Sequence, residues 1–270
     1  MIRYKLIFGS SQGKDMGEVE DVVGSYLAYL LRNGQIDWNT DRVISRHGKV
    51  VTFVEAIGPT AWMRKYHSQI GLKYLDLASD FFGQYPIWET YEDSFPKREV
   101  SWKNALALYL YGPSEQYISL YREDTLQSLP LYRLPLTDEQ RDAIYCWKCT
   151  YLEYYPLWME CGKFEIPAYR EYAEPHSKLS QMGRECCQNI ESATSIPTYY
   201  FLKRYYRHEI KQEKKRKCPC CGKSWCQNVK DKTHLFDFKC QRCRLVSDFG
   251  IDGSSLRYAK IGDYCVGNKK

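Results

Sequence analysis

The stretch KRKCPCCGKSW, Lys215 to Trp225, places three cysteines in four positions directly after a run of basic residues. Cys218 and Cys221 are separated by two residues, and Cys240 and Cys243 have the same separation in the later stretch CQRC. The two pairs are 18 residues apart, which gives the pattern C-x2-C-x18-C-x2-C. This spacing is typical of a site in which four thiolates bind one zinc ion.

Each cysteine pair predicts a knuckle, a tight turn that brings two thiolates to one metal ion. Pro219 restricts φ inside the first turn, and Gly222, directly after the second cysteine, permits a left-handed backbone. The stretches THLFDFK and RLVSDFG predict the strands that enter and leave the second knuckle. These features predict a C-terminal zinc ribbon that holds one structural Zn²⁺ through Cys218, Cys221, Cys240 and Cys243.

The remaining cysteines of this region leave two alternatives open. Cys220 lies between two ligands, and a tetrahedral site filled by four sulfurs has no position left for it. A site that uses Cys220 and Cys226 would break the two-residue spacing, and His234 in place of one thiolate is the other alternative. Because a four-sulfur site has no open position for water or substrate, the zinc is expected to be structural rather than catalytic.

Length and composition restrict the class of protein. At 270 residues the chain is long enough for one large domain or two ordinary ones. The first residues, MIRYKLIFGSSQGKD, are too polar and too short for a secretory signal, and no window approaches 18 apolar residues. Without a signal, twelve cysteines favour reduced thiols that are available for a metal. We therefore expect a cytoplasmic protein that does not contact a membrane.

The charge is distributed unevenly along the chain. From Lys203 to Lys270 there are 18 basic and 7 acidic residues, a net charge of +11. The first 202 residues hold 21 basic and 26 acidic residues, a net charge of −5. The basic part contains the cysteine cluster, so any contact with a polyanion is expected there.

The periodicity of the first half predicts alternating strands and helices. Strands are predicted at Ile2 to Phe8 and on both sides of a turn at His47-Gly48, and a final strand at Asn104 to Gly112. Helices are predicted at Gly17 to Gly34, where Asn33-Gly34 is the stop signal, and within Thr60 to Gly83. The order β-α-β-β-α-β predicts a ferredoxin-like sandwich over roughly residues 1–112.

Helix signals follow in the middle of the chain. Thr137 and Gln140 form a capping box that starts a helix, and Pro156 is expected to end it. A second helix, SKLSQMGRECCQNIESAT, is expected to be capped by Ser177. The stretch PTYYFLKRYY after it has the composition of a strand.

The predicted fold is therefore α+β, with an N-terminal ferredoxin-like βαββαβ part, a middle helical part and a C-terminal zinc ribbon. The predicted domains are a ferredoxin-like α+β domain with a connector, a helical part, and the zinc ribbon with the C-terminal tail, in segments 1–136, 137–210 and 211–270.

From about Pro130 to Gly250 the chain contains the stretches PLYRLP, LWMECGKFE, SKLSQMGRECCQNIE, PTYYFLKRYY, KCPCCGKSW and FDFKCQRCRLVSD. Together they resemble a family of uncharacterised bacterial proteins described as zinc-ribbon-containing, with a suggested nucleic-acid-binding role. The resemblance implies a bacterial protein with a zinc ribbon and, as an expectation, nucleic acid as its partner.

Basic residues around the cysteines could neutralise phosphates, and one aromatic ring could stack on a base. The candidate nucleic-acid-binding residues are Lys214, Lys215, Arg216, Lys217, Lys223, Trp225, Arg242 and Arg244. The alternative is that these cations only offset the charge of about −2 that four thiolates leave on Zn²⁺.

The sequence contains no catalytic constellation. The five histidines have no paired spacing, and Cys146 and Cys149 lie inside a predicted helix, where they are expected to pack in the core. The first hypothesis is therefore a non-enzymatic zinc-ribbon protein that binds nucleic acid through its basic C-terminal region and has no small-molecule substrate. The alternative is an intracellular immunity protein that neutralises a partner toxin by covering its active site with the acidic, tyrosine-rich first 202 residues.

Overall fold

The structure is a computed structural model that describes residues 2–37, 43–93, 100–112, 119–227 and 235–265. The chain forms two compact units: unit 1 comprises Met1–Trp102 and Leu129–Tyr145, and unit 2 comprises Lys103–Ser128 and Cys146–Lys270. The predicted domains, 1–136, 137–210 and 211–270, stay a prediction. Among the helices in the described ranges, none combines the length and apolar character that a membrane crossing needs.

Unit 1 is built on a four-stranded antiparallel sheet. Its elements in chain order are β1 (Ile2–Ser10), α1 (Met16–Arg32), β2 (Ile44–Arg46), β3 (Lys49–Ala56), α2 (Gln69–Phe82) and β4 (Ile87–Asp93). The strand order is β2-β3-β1-β4, and β1 pairs antiparallel with both β3 and β4. Two short 3-10 helices, Arg64–Tyr66 and Leu131–Arg133, also belong to this unit.

The core of unit 1 lies between this sheet and its helices. Alternate residues of β1, among them Leu6 and Phe8, point to the same face as Val54 of β3 and are buried with Val23 and Leu30 of α1. Helix α1 begins where the Asp15 side chain accepts hydrogen bonds from two backbone N–H groups and ends, as predicted, at Asn33-Gly34.

The predicted turn between β2 and β3 is confirmed. His47 and Gly48 both have positive φ, 50° and 72°, which is the backbone of a two-residue type I′ hairpin.

The predicted last strand of this sheet is wrong. Asn104 to Gly112 was expected to complete the sheet, but its strand, Leu108–Tyr111, lies in the second sheet, and β4 completes the first. Strand β4 is an edge strand whose Ile87, Glu89 and Tyr91 are exposed. Its sequence therefore lacks the regular alternation of apolar and polar residues that predicts a strand. The more apolar run at 108–111 is a strand buried between two neighbours.

The second sheet has six strands. The remaining elements are β5 (Leu108–Tyr111), β6 (Ser119–Arg122), β7 (Ser128–Leu129), α3 (Asp138–Met159), α4 (Glu165–Ala173), α5 (Lys178–Thr194), β8 (Thr198–Phe201), α6 (Ile210–Glu213), β9 (Phe238–Cys240) and β10 (Leu245–Ser247), with 3-10 turns at Gly162–Phe164 and Tyr258–Lys260. The strand order is β7-β6-β5-β8-β10-β9. Strand β8 runs parallel to both β5 and β10, whereas β9 and β10 form an antiparallel pair.

The helix caps follow the prediction, but one helix end does not. The Gln140 N–H donates to Thr137 Oγ1 at 3.3 Å, the Thr137 N–H donates to Gln140 Oε1 at 3.0 Å, and the Ser180 N–H donates to Ser177 Oγ at 3.1 Å. Helix α3 continues past Pro156 to Met159, which corrects the predicted end. The Glu160 N–H still donates to the Pro156 carbonyl, so the helix continues beyond the proline.

Helix α5 packs closely on β8. A Cβ atom at Gly183 would lie 2.2 Å from the Tyr200 ring, so only glycine permits this approach. Tyr200 and Phe201 then pair in register with Leu245 and Val246 of β10. The cysteine-bearing hairpin β9–β10 is therefore the edge of the six-stranded sheet rather than a separate appendage.

Candidate metal centre

The first knuckle surrounds Cys218 and Cys221. The Cys218 N–H donates to the Lys223 carbonyl and the Gly222 N–H donates to the Cys218 carbonyl, both at 2.9 Å. Lys217 and Ser224 form an antiparallel bridge below this turn. Gly222 has φ of 67°, so its predicted left-handed conformation is confirmed.

The second knuckle joins β9 to β10. Cys240 is the last residue of β9, and Cys243 lies in the turn before Leu245, the first residue of β10. Arg244, directly after Cys243, has φ of 52°. The two knuckles come together because the Lys239 N–H donates to the Trp225 carbonyl at 2.8 Å and Cys226 bridges to Phe238.

The four predicted cysteines converge on one point. The sulfur atoms of Cys218, Cys221, Cys240 and Cys243 all lie within 4.8 Å of one another, and this set could hold a metal ion. The sulfurs of Cys221 and Cys240 are 3.7 Å apart. Tetrahedral coordination with metal–sulfur bonds of about 2.3 Å places two sulfurs about 3.8 Å apart, which fits this distance.

The surroundings of Cys218 and Cys243 favour the protonated thiols. Burial and the neighbouring Cys240 thiol raise the pKa of Cys218, and burial and repulsion from Cys218 raise the pKa of Cys243. Burial acts in the same direction on Cys221, but hydrogen bonds from the Lys223 backbone and from neighbouring thiols outweigh it and lower the pKa. Four thiols this close lose their protons together only if a positive ion offsets the repulsion between the thiolates.

Five of the predicted nucleic-acid-binding residues are exposed: Lys214, Lys215, Lys217, Lys223 and Arg242. Three of these residues lie within two positions of a cysteine in the cluster, so they border the metal centre on both knuckles. The other two follow the short helix α6 directly before the first knuckle.

The structure places Arg216 and Trp225 in the interior of unit 2, where they are 7 % and 3 % exposed. The Arg216 guanidinium lies 4.8 Å from the Trp225 ring centroid and 4.2 Å from that of Phe238, and its Nε is 3.1 Å from Glu213 Oε1. Burial and the nearby Arg204 lower the pKa of Arg216 to about 10. Neither side chain can contact a phosphate or a base, because both are enclosed by other residues of unit 2.

Three acidic residues that the sequence analysis did not single out hold cations of this region. Glu213 pairs with both Arg204 and Arg216 and is fully buried. Glu191 of α5 pairs with Arg244, which is half-buried, and Glu123 pairs with Lys239 at 2.5 Å. The spacing of Glu213 and Arg216, three residues apart, was the only local signal of these pairs.

The alternative ligands are distinct from the four-sulfur set. Cys220 is half-buried, and burial raises its pKa, while the Cys226 thiol points to the Gln227 carbonyl at 3.6 Å. His234 lies outside the described residues. In the described part of the chain, the four-sulfur set is the one cluster with the geometry of a metal site.

The cysteines of the helices differ in burial. Cys186 and Cys187 are buried in α5, as a small apolar residue would be. Cys146 is exposed and Cys149 is half-buried, so the prediction that this pair packs in the core is wrong for Cys146. Position 146 lies on the solvent side of α3, which a three-residue spacing alone does not reveal.

Comparisons with known proteins match two segments of the chain. A family described as "Domain of unknown function (DUF2310)" matches residues 103–203. A second, described as "Domain of unknown function (DUF8594)", matches residues 207–253, the segment that contains all four cysteines of the cluster. No solved structure matches the chain.

Two curated bacterial relatives come from Haemophilus influenzae, and both are described as "Uncharacterized protein". They are 43% and 42% identical to this chain over 93 residues, or 34% of its length. The aligned part covers 35% of one relative and 45% of the other, so the chain spans less than half the length of either. Parts of this chain are therefore similar to segments of bacterial proteins and to two domains of unknown function.

Proposed function

We propose that Cys218, Cys221, Cys240 and Cys243 bind one structural zinc ion and that the surrounding segment is a zinc ribbon. The proposal is supported by the all-thiolate donor set, by sulfur distances that fit tetrahedral coordination, and by backbone hydrogen bonds to the Cys218 and Cys221 sulfurs in the first turn. A zinc ribbon is also what the family resemblance noted from the sequence implies.

We also propose that unit 1 is a ferredoxin-like sandwich. The supporting observations are its β-α-β-β-α-β element order, its strand order β2-β3-β1-β4 and the antiparallel pairing of β1 with both neighbours.

The function that these features support best is non-enzymatic binding of nucleic acid at the metal centre. The observation that carries the proposal is the set of exposed cations that borders the four-sulfur cluster: Lys214, Lys215, Lys217, Lys223 and Arg242. Four other cations, Arg204, Arg216, Lys239 and Arg244, pair with acidic residues of the same unit. A closed four-sulfur site offers no position for substrate, so the metal shapes the surface and does not catalyse a reaction.

Charge balance at the metal centre does not require these five cations. Four thiolates on Zn²⁺ leave a local charge of about −2, whereas the five exposed residues supply +5. The surplus positive charge is available to a polyanion, and phosphate groups on a flexible or helical strand are the chemistry that it fits.

The experiment is a titration of labelled single-stranded and duplex DNA and RNA at two salt concentrations, read by fluorescence anisotropy. Five phosphate contacts predict a slope of roughly −3.5 for log K against log salt on a single strand, so a fourfold rise in salt lowers affinity about a hundredfold. The variant with Lys214→Glu, Lys215→Glu and Lys217→Glu is expected to reduce the magnitude of the slope by about 2.

A matched control changes three exposed lysines of unit 2 outside residues 211–270: Lys103→Glu, Lys163→Glu and Lys178→Glu. The control has the same change in net charge and is expected to keep the slope of the unmodified protein. If no nucleic acid binds at low salt, or if both triple variants weaken binding equally, the proposal is wrong, and a protein partner becomes the better hypothesis.

A further inference from the structure

Unit 1 contains a cavity that the metal centre does not use. Its volume is about 400 Å³, within the range of about 300–1,000 Å³ that is usual for small-molecule sites. Four of its seven lining residues are aromatic, and the lining comprises Tyr26, Trp62, Arg64, Leu75, Tyr85, Pro86 and Trp88. An aromatic cavity with one cationic side chain selects for planar ligands with a negative group.

Two of the aromatic rings are exposed and yet fixed in position. Trp62 is 47 % exposed, and its indole N–H donates to the Pro59 carbonyl at 3.0 Å. Tyr85 is 52 % exposed, and its hydroxyl donates to Asp76 Oδ1 at 3.1 Å. Each ring is held through its polar end, so it retains apolar surface for a ligand without needing to rearrange.

The floor of the cavity is rigid and uncharged. The Tyr26 hydroxyl lies 3.0 Å from His67 Nε2, and His67 Nδ1 lies 3.2 Å from the Met63 carbonyl. The Gln35 side-chain amide nitrogen also lies 3.4 Å from Nδ1, so both ring nitrogens of His67 have a polar partner. Burial raises the pKa of Tyr26 and lowers the pKa of His67, which keeps both groups neutral.

The charge of the cavity comes from Arg64. Its guanidinium lies 5.3 Å from the Tyr85 ring centroid, and its Nη2 is 2.8 Å from Asp76 Oδ1. The side chain is half exposed, at 52 %. A guanidinium has five donor hydrogens, more than its contacts with Asp76 and the Tyr85 hydroxyl use, so Arg64 can bind a phosphate while it remains beside Asp76.

We propose that this cavity binds a nucleoside monophosphate, with the base stacked on the exposed aromatic walls and the phosphate at Arg64. The ligand is either a free mononucleotide or one nucleotide of a single strand, which share this chemistry. A cationic aromatic ligand is disfavoured by Arg64, and an aliphatic ligand would not use the stacking rings. The site lies within unit 1 and does not depend on the nucleic-acid contact proposed for the ribbon.

The test is isothermal titration calorimetry of the full chain with adenosine monophosphate, with adenosine, and with a short oligoadenylate. Adenosine monophosphate is expected to bind, and adenosine about tenfold more weakly, because it lacks the group that Arg64 contacts. Trp62→Ala is expected to lower the affinity for the nucleotide about tenfold, the scale of one base–aromatic stacking contact. Arg64→Gln is expected to abolish the preference for the monophosphate over adenosine.

Two neighbouring side chains provide controls. Tyr91→Ala removes an exposed aromatic ring of β4 that does not line the cavity, and Lys65→Gln removes the cation next to Arg64. Both are expected to leave nucleotide affinity unchanged. Because Arg64→Gln removes no buried group, it keeps the test decisive even if Trp62→Ala fails to fold.

The oligoadenylate is titrated against the chain that also carries Lys214→Glu, Lys215→Glu and Lys217→Glu, so the ribbon does not contribute. Binding of the free nucleotide identifies a mononucleotide site, and binding of the strand alone, weakened by Trp62→Ala, identifies one nucleotide of a strand. Absence of heat with every probe, or an equal loss in Tyr91→Ala and Trp62→Ala, overturns the proposal. Neither result would affect the salt test of the ribbon.

Discussion

Gly222 and Arg244 occupy equivalent positions in the two knuckles. Each directly follows the second cysteine of its pair, and both have a left-handed backbone, with φ of 67° and 52°. Glycine adopts this conformation freely, whereas arginine does so at a cost of about 1–2 kcal/mol. The side chain of Arg244 holds the residue in this conformation, because its Nη2 is 2.8 Å from Glu191 Oε1 of α5. The first knuckle thus depends on the conformational freedom of Gly222. The second depends on the ion pair between Arg244 and Glu191 of α5.

Gly222→Ala is expected to weaken metal binding. An added Cβ would meet the Tyr264 ring at 2.7 Å, and the left-handed backbone would cost about 1 kcal/mol more. Competition with a chromophoric zinc chelator measures the affinity. Gly48→Ala is the control, because Gly48 has φ of 72° with no atom within 4 Å of the added Cβ and lies in the β2–β3 hairpin. Equal zinc affinity in both variants would show that the knuckle does not require this glycine.

Removal of the metal is expected to unfold the edge of the six-stranded sheet. Strand β10 pairs with both β9 and β8, so loss of the knuckles releases β9 and β10 and exposes Val246 to water. Hydrogen exchange after chelation should show lost protection at 238–247 and weakened protection at Thr198–Phe201. The amides of β1 and β3 belong to another sheet and should stay protected, and their simultaneous loss would contradict this account.

Glu213→Gln is expected to destabilise unit 2 strongly. Glu213 is fully buried and its carboxylate contacts Arg204 Nε at 3.0 Å and Arg216 Nε at 3.1 Å. The substitution removes the anion that the two buried guanidinium groups share and leaves Arg204 with Asp263 Oδ1 at 3.3 Å as its remaining carboxylate partner. Breaking a buried ion pair in this way costs roughly 3–5 kcal/mol. Urea unfolding measures this loss. Glu209→Gln, at an exposed position four residues earlier, should change the free energy of unfolding by less than about 0.5 kcal/mol.

The stability of unit 2 is expected to fall as the pH rises through Asp248. Burial and repulsion from Asp237 raise the pKa of Asp248 to about 7, whereas an unfolded aspartate has a pKa of about 4. The folded state therefore holds this proton more tightly, and stability decreases from about pH 4 to about pH 7, by on the order of 4 kcal/mol in total. Asp248→Asn should flatten this decrease in urea unfolding series. Glu185→Gln, exposed on α5, should leave the decrease intact.

Local signals were sufficient wherever neighbouring residues determine the structure. The cap residues Ser177 and Thr137 and the turn at His47-Gly48 act within three or four positions, so their chemistry can be recognised in the sequence. The four cysteines could be grouped because zinc knuckles have a characteristic spacing.

Contacts between residues that are far apart in the sequence could not be predicted in the same way. The assignment of Leu108–Tyr111 to the second sheet depends on its pairing with Thr198 to Tyr200, about 90 residues later in the chain. The burial of Arg216 depends on Phe238 and Glu213, which surround it only after this part of the chain has folded. A basic run is normally solvated, so the sequence pattern alone favoured a surface position for Arg216.

The most direct test of the metal centre is the zinc content of the purified chain, measured by elemental analysis beside Cys220→Ser and Cys243→Ser. The account predicts one zinc per unmodified chain and per Cys220→Ser chain, and none in Cys243→Ser, because Cys243 belongs to the four-sulfur set and Cys220 does not. Loss of the metal from Cys220→Ser, or retention of a full equivalent by Cys243→Ser, would contradict it.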